Sequence, residues 1–234
     1  VDGYRFNRGS LINVGYFESR RVGCDYLAMH DVDLIPLNPA LSYAYPRAGL
    51  PFHVAAPQYH PRYHYDKFIG GILILTLDQF RRVNGLSNRY WGWGLEDDEF
   101  YVRLREQSLV PLRPANLTTD SDTTFRHIHN SVVRPRDNVR LFDQRKVSRR
   151  RDRLTGLDSI EYNVRRRYNV SVNAAHAVIV EVELSCDISF TPWCQRLESL
   201  NPEMQQVALA GLSLVERPKR MATTVKTSVV ASDG

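Results

Sequence analysis

Three clusters in this sequence combine residue types that can do chemistry. The first is Asp31-Val32-Asp33, which follows an apolar stretch and runs into Leu34-Ile35-Pro36. Two carboxylates at i and i+2 in a turn after a strand can divide their work. One ligates a hard divalent cation and the other orients the metal shell or a ligand hydroxyl. The second is His127 and His129, whose i, i+2 spacing on a strand puts both rings on one face. Two imidazoles with one Asp make a three-ligand site with positions left open for phosphate oxygens. Such an O/N set suits Mn²⁺, and also Zn²⁺, Fe²⁺ or Co²⁺. The ordinary alternatives are an Asp turn ahead of Pro36 and a pair of edge-strand histidines.

The third cluster is Glu96-Asp97-Asp98-Glu99 behind Trp91-Gly92-Trp93-Gly94. Glycines permit close approach of backbone to a ligand. A Trp ring can stack on the apolar face of a sugar while a carboxylate accepts its hydroxyl hydrogens. A carboxylate aimed at one hydroxyl is also a general base. Simple helix-start acidity is the competing reading. Phe6-Asn7-Arg8 pairs an aromatic ring with a guanidinium, a combination able to hold a base and a phosphate, or merely a surface turn. His64 stands between Tyr63 and Tyr65, where it can touch a ligand; His30, His53 and His60 read as loop or core histidines.

The elements that must carry these groups follow from the hydrophobic pattern. Leu11 to Phe17 reads as the body of a helix and Cys24 to His30 as a strand. Residues 36–66, rich in Pro, Tyr and His, read as a long structured surface segment. Phe68 to Thr76 reads as a buried strand, Asp78 to Val83 as a short helix, and Glu96 onward as a helix through Phe100 and Leu104. Thr123 to His129 is a further strand, Pro135 to Arg153 a solvated helix with a charged face, and Ala174 to Leu184 an edge or outer strand. A short helix is expected at 202–210 within a loosely held tail from 199 to 234. An acidic turn at a strand's carboxyl end is where open α/β sheets place ligands.

Composition sets bounds on all of this. The 234 residues are 43% hydrophobic and 24% charged, enough for a sizeable core in one large domain or two small ones. The net charge of +5 is local: Arg134 to Arg167 holds 12 basic against 5 acidic residues. The triplets Arg149–Arg151 and Arg165–Arg167 lack an interleaved aromatic stripe, so they read as solvated helix faces and not as a nucleic-acid surface. No HExxH, P-loop or GxSxG is present, and no run reaches the ~18 apolar residues of a membrane span. Cys186 and Cys194 lie eight apart. A disulfide would close that loop in an oxidising compartment, reduced thiols would sit there otherwise, and Cys24 has no evident partner. The sequons at Asn116 and Asn169 are compatible with secretion.

FNRGSLINVGY, DVDLIPL, HYDKFIGGILIL, NRYWGWGLEDDEFYVRL and FRHIHN occur here in the order typical of the metazoan β-1,4-galactosyltransferases. From about Phe6 to Cys194 the chain resembles that family, and HPRYHY, HIH and TPWC resemble its xylose-specific branch. The resemblance implies an α/β, GT-A-like nucleotide-sugar-binding fold with a mostly parallel mixed sheet flanked by helices. Residues 1–198 would form the catalytic domain. It implies inverting transfer of galactose from UDP-α-galactose to the 4-hydroxyl of xylose on a serine of proteoglycan core proteins. Transfer to N-acetylglucosamine and a non-catalytic sugar-binding module remain as alternatives.

By motif, Asp97 resembles the catalytic base. Tyr63, Tyr65, Trp93, Glu96 and Asp98 resemble acceptor-binding residues. Phe6, Arg8, Asp31, Val32, Asp33, Gly71 and Trp93 resemble contacts to the UDP-sugar. Asp33, His127 and His129 resemble the Mn²⁺ ligands; Thr124 stands where most members carry a ligand Met, and His129 is the replacement. The resemblance also implies a Golgi-lumen address with a membrane anchor upstream. It implies, too, a strand and helix with a PFRxRxxxL-type motif for the uridine end. No such segment stands ahead of Val1 in this sequence, so part of the donor subsite is expected to be missing.

Overall fold

The computed structural model describes residues 2–214 except Arg47 and Ala174. Asn7 caps the first helix, α1 (Arg8–Arg21), by accepting a hydrogen bond from the Ser10 backbone N–H. The cap sets Arg8 at the first helical position. A strand, β1 (Tyr26–His30), precedes the acidic turn, and β2 (Leu34–Pro36) follows it. After β3 (Phe52–His53) come β4 (Ile72–Thr76) and α2 (Leu77–Arg82), where Thr76 and Gln79 form a capping box. The helix α3 (Glu96–Glu106) and β5 (Phe125–His127) complete the central part. Beyond them lie α4 (Gln144–Val147), the hairpin of β6 (Tyr162–Val172) and β7 (Ala175–Leu184), and α5 (Pro202–Leu209).

Strand β4 is the centre of the molecule. It pairs with β1 on one side and β3 on the other. Alternation sends Leu73 and Leu75 into a cluster with Tyr16, Phe80, Phe100 and Leu104 from the three helices. Ile72 and Ile74 point the other way, against Leu34, Val54, Ala55 and Phe125. A third cluster joins Trp91, Leu141, Phe142 and Trp193 to Val182 and Leu184 at the base of the hairpin. Ala208 of α5 is fully buried there.

The expected mostly parallel sheet does not form. Every ladder among the described residues is antiparallel, and the single parallel contact is the isolated bridge Phe52–Leu112. The connection explains this. A parallel pair needs a crossover that carries the chain back to the strand's starting end. Here the chain leaves β1 at His30 and enters β4 at Ile72, directly opposite, so segment 31–71, though it carries β3, begins and ends at the same end of the sheet. The run ILIL is apolar on both faces, a pattern usual in parallel sheets. It arises here because helices cover one face and the β2–β5 pair the other.

The solvated helix expected over Pro135–Arg153 is also replaced, apart from the one turn of α4. Its charged groups find partners far away in sequence instead of at i+4. Arg5 forks onto Asp137 (2.7 and 2.9 Å), and Arg151 reaches Glu99 and Glu106. Arg165–Arg167 lies on strand β6, not on a helix face. Arg167 forms two hydrogen bonds to Glu18 of α1 (2.9 and 2.6 Å), tying the hairpin to the body. Cys186 and Cys194 form a disulfide, while Cys24 is free and exposed. The expected helix at 202–210 is α5; the part of the expected tail from 215 to 234 lies outside the described residues. No helix among the described residues is long and apolar enough to cross a membrane.

Candidate active site

Strand register assembles the first half of the site. Leu34 pairs with His127, and the Ile128 N–H donates to the Asp33 carbonyl at 2.9 Å. Residues 127 and 129 flank Ile128, so both imidazoles turn to the same side. His127 Nε2 lies 3.4 Å and His129 Nδ1 3.3 Å from one oxygen, Asp33 Oδ2. Burial, with the nearby Arg62, Arg136 and His129, lowers the His127 pKa against the opposing pull of Asp33, which keeps a nitrogen lone pair available. His129 Nε2 is buried with no hydrogen-bond partner, a donor atom the protein itself leaves unused.

A carboxylate and two imidazoles are a fitting donor set for Mn²⁺. Donors each ~2.1 Å from one ion stand ~3.0–3.4 Å apart, which matches the observed contacts. Among the described residues no group of three His, Cys, Asp or Glu side chains is already arranged to hold an ion. Both rings lean on the same carboxylate oxygen, so an entering cation would have to replace those contacts.

The second half comes from the start of α3. Leu95, the residue before the helix, has φ +73° and gives no side-chain cap. Four acids fill the first turn in its place, and Asp97 Oδ1 accepts the Asp98 N–H at 2.9 Å. Burial, then the charges of Glu96 and Asp98, push the Asp97 pKa up to about 7, with Arg8 pulling the other way. Burial likewise raises Glu96, which Arg8 opposes from 3.7 Å. Arg8 also binds Asp31 at 2.7 Å and so links the acidic turn to the acidic helix. Beneath α3, Glu99 and Arg103 form a buried ion pair at 2.8 Å, with Asp152 close by.

Asp33, His127, His129 and Asp97 open into one cavity of about 1440 Å³. Phe6, Arg8, Asp31, Val32, Tyr63, Tyr65, Trp93, Glu96 and Asp98 line it as well. Tyr65 donates its hydroxyl hydrogen toward Asp98; burial and then the Asp97 and Asp98 charges raise its pKa. Trp93 is 43% exposed, with the Arg136 guanidinium 4.6 Å from its ring centroid. Its loop is pinned by Arg140, which donates to the Trp93 carbonyl, and by the Trp93 N–H bond to the Asp137 carbonyl.

Gly71, His64 and Glu99, which the sequence also nominated, do not line this cavity; for Gly71 the reason is its packing. Its N–H bonds Asp31 Oδ2 at 3.3 Å, and a Cβ there would lie 2.8 Å from that of Ala55, at φ +74°. Its neighbour Gly70 does face the cavity, and a Cβ there would lie 2.8 Å from Asp97 Oδ2. Sequence reasoning missed the arginines of 134–149 on the cavity wall, whose signal was the local basic surplus. It also passed over His60, which is 2% exposed and lines the same cavity.

Comparison with known proteins finds relatives in sequence and in fold. A family model described as the N-terminal domain of galactosyltransferase matches residues 50–128. The chain is 49% identical over 194 residues to β-1,4-galactosyltransferase 7 of Drosophila melanogaster, covering 83% of this chain and 60% of that protein. It is 48% identical to xylosylprotein 4-β-galactosyltransferase of Caenorhabditis elegans, covering 83% of this chain and 68% of that one. The solved structure of a Drosophila β-1,4-galactosyltransferase 7 mutant, in complex with manganese, UDP-Gal and xylobiose, is 48% identical. It superposes with a TM-score of 0.81 over 83% of this chain and 82% of that one. The antiparallel pairings described above belong to this shared GT-A-like fold.

Proposed function

The chain belongs to the β-1,4-galactosyltransferase family, and from that premise we propose that it transfers galactose from UDP-α-galactose to the 4-hydroxyl of xylose, with inversion, forming a β1→4 linkage. The acceptor in this reading is xylose on a serine of a proteoglycan core protein, and the address is the Golgi lumen, consistent with the Cys186–Cys194 disulfide. The observation that carries the reading is the opening of the Asp33–His127–His129 corner and the Asp97 carboxylate into one cavity.

Asp97 is the general base. A sugar hydroxyl is a very weak acid, so its proton leaves only as bond formation to the anomeric carbon makes it acidic. A carboxylate with a pKa raised to about 7 is better matched to that proton than an ordinary one. One displacement with one base gives inversion. Glu96 and Asp98, on either side, accept hydrogens from the other acceptor hydroxyls. Tyr65 braces Asp98 and offers ring surface to the sugar, as do Tyr63 and Trp93. Phe6 and Arg8 hold the nucleotide end. Asp33, His127 and His129 hold Mn²⁺, which when bound supplies positive charge to the departing diphosphate.

The test measures transfer from UDP-Gal to p-nitrophenyl-β-xyloside and to the matching N-acetylglucosaminide, with and without Mn²⁺. The expected result is Mn²⁺-dependent transfer to the xyloside, with the new linkage at O4 in the product's NMR spectrum. Preference for the N-acetylglucosaminide would overturn the acceptor, and binding without transfer would leave only a sugar-binding module.

A further inference from the structure

The segment from His60 to Phe68 lies along the acceptor side of the cavity, and its first residue is used by nothing so far described. His60 is 2% exposed. Its Nδ1 accepts two backbone hydrogen bonds, from the Arg62 N–H at 3.0 Å and the Tyr63 N–H at 3.1 Å. Pro61, between His60 and Arg62, has no N–H to give. The imidazole therefore takes both of the next available backbone donors, as an Asx side chain does in a turn. Since both partners are donors, Nδ1 carries no proton and the ring proton sits on Nε2. Burial, followed by the charges of His127, His64 and Arg62, lowers its pKa to about 4, in keeping with a permanently neutral ring.

The same ring is packed from two sides. Its centroid lies 5.0 Å from that of Tyr63 and 4.9 Å from that of Phe68, and Phe68 also meets Tyr63 at 5.0 Å and Tyr65 at 5.6 Å. Gly71 lies beside it, and a Cβ there would be in van der Waals contact with His60 Cδ2 at 3.5 Å. The backbone of 62–63 and the rings of both tyrosines thus refer back to one imidazole.

We propose that His60 is a positioning residue for the acceptor sugar: its Nδ1 locks the Arg62–Tyr63 backbone and thereby sets Tyr63 and Tyr65 against Asp98 and Asp97. This rests on the transferase reading above and deepens it. His60 acts on the acceptor and not on the donor, and through hydrogen-bond acceptance, not through a change of charge.

Two substitutions separate the ring from the acceptor atom. His60→Phe keeps an aromatic ring and loses Nδ1; His60→Asn loses the ring and keeps an oxygen able to accept the same N–H groups. With both variants folded, His60→Phe should raise KM for p-nitrophenyl-β-xyloside about 10-fold, the scale of lost hydrogen bonds, with kcat and the KM for UDP-Gal within about 2-fold. His60→Asn should recover most of that loss, and acceptor KM in the wild type should stay flat from pH ~5.5 to ~8. The proposal is overturned if Phe behaves as wild type, if donor KM rises equally, or if Asn is the worse variant. Should Phe not fold, an acceptor KM for Asn within about 3-fold of wild type supports the lock, and a larger rise overturns it. Wild-type protein inactive on the xyloside would sink the transferase reading itself. Amide exchange at Arg62 and Tyr63 then still decides about the lock, which fails if these amides are unprotected in the wild type.

Discussion

The carboxylates of Asp33 and Asp97 reach one cavity by opposite routes. Asp33 sits where two strands pair, and its neighbours come from nearly a hundred residues away through the Leu34–His127 register. Its partners are imidazoles and its surroundings are ready for positive charge. Asp97 sits in the first turn of a helix, between two more acids, and its position is set by the local chain. Its surroundings resist ionisation and push its pKa to about 7. Long-range pairing thus gathers a donor set that suits a cation, while local clustering of like charges raises the pKa of a carboxyl group. The two sites differ in chemistry although both are aspartates, because environment decides which form of a carboxyl group is favoured.

The hardest test of this contrast is removal of the base. Asp97→Asn should lower galactose transfer by about 10²–10⁴-fold in single-turnover assays while leaving Mn²⁺ binding intact. Loss of metal binding as well would merge the two halves. Next is the support beneath the helix. Arg103→Met takes the buried guanidinium from the Glu99 and Asp152 carboxylates, leaving them only Arg151 and Arg89. It should cost about 3–5 kcal/mol in urea unfolding, a scale set by removing one partner of a buried pair. On the other side of the cavity, His129→Ala should weaken Mn²⁺ binding by about 10–100-fold in calorimetry, with little change in acceptor affinity. An unchanged Mn²⁺ titration would remove His129 from the ligand set.

The pH dependence sharpens the comparison further. The Asp97 pKa is raised in the folded protein, so the working carboxylate form is lost as pH falls through about 7, and kcat/KM should climb and level off above it. The same shift carries a stability sign. A raised acid holds its proton longer when folded than when unfolded, so ionising it costs stability as pH rises from its ordinary value to about 7. Asp97→Asn removes that cost and should raise Tm by about 2–4 °C at pH ~7.5, with no gain at pH ~4. A profile unchanged in the Asn variant would assign the titration elsewhere. The smallest effect belongs outside both sites. Arg167→Ala removes the exposed pair with Glu18 and should cost under ~1 kcal/mol, with activity unchanged.

Both halves of the site could be read in the chain because each is a short pattern with a chemical reason. The strand–DVD–Pro run, the HIH spacing and the Trp/Gly lead into four acids each name their elements locally. What could not be read was how strands meet. The ILIL run of β4 looks the same whether its second face is covered by helices or by another pair of strands. The direction of pairing was settled by segment 31–71, which begins and ends at the same edge of the sheet. The stretch 135–153 failed as a helix for a similar reason. Its acids have basic partners at i+3 on paper, Asp143 with Arg140 and Lys146 among them, yet Arg5, Glu99 and Glu106 offer better-placed ones across the fold. His60 was passed over because a histidine beside a proline in an aromatic loop says nothing of which backbone donors it will meet.

Taken alone, the order of residues determined which side chains could ligate, accept a proton or stack on a sugar, since those properties belong to the residue type and its nearest neighbours. The tertiary structure decided that Asp33 meets both imidazoles, that Asp97 is raised by burial and by its neighbours, and that Gly70 rather than Gly71 faces the cavity. Those are matters of distance and solvent exclusion between groups far apart in sequence, and only the closed fold sets either.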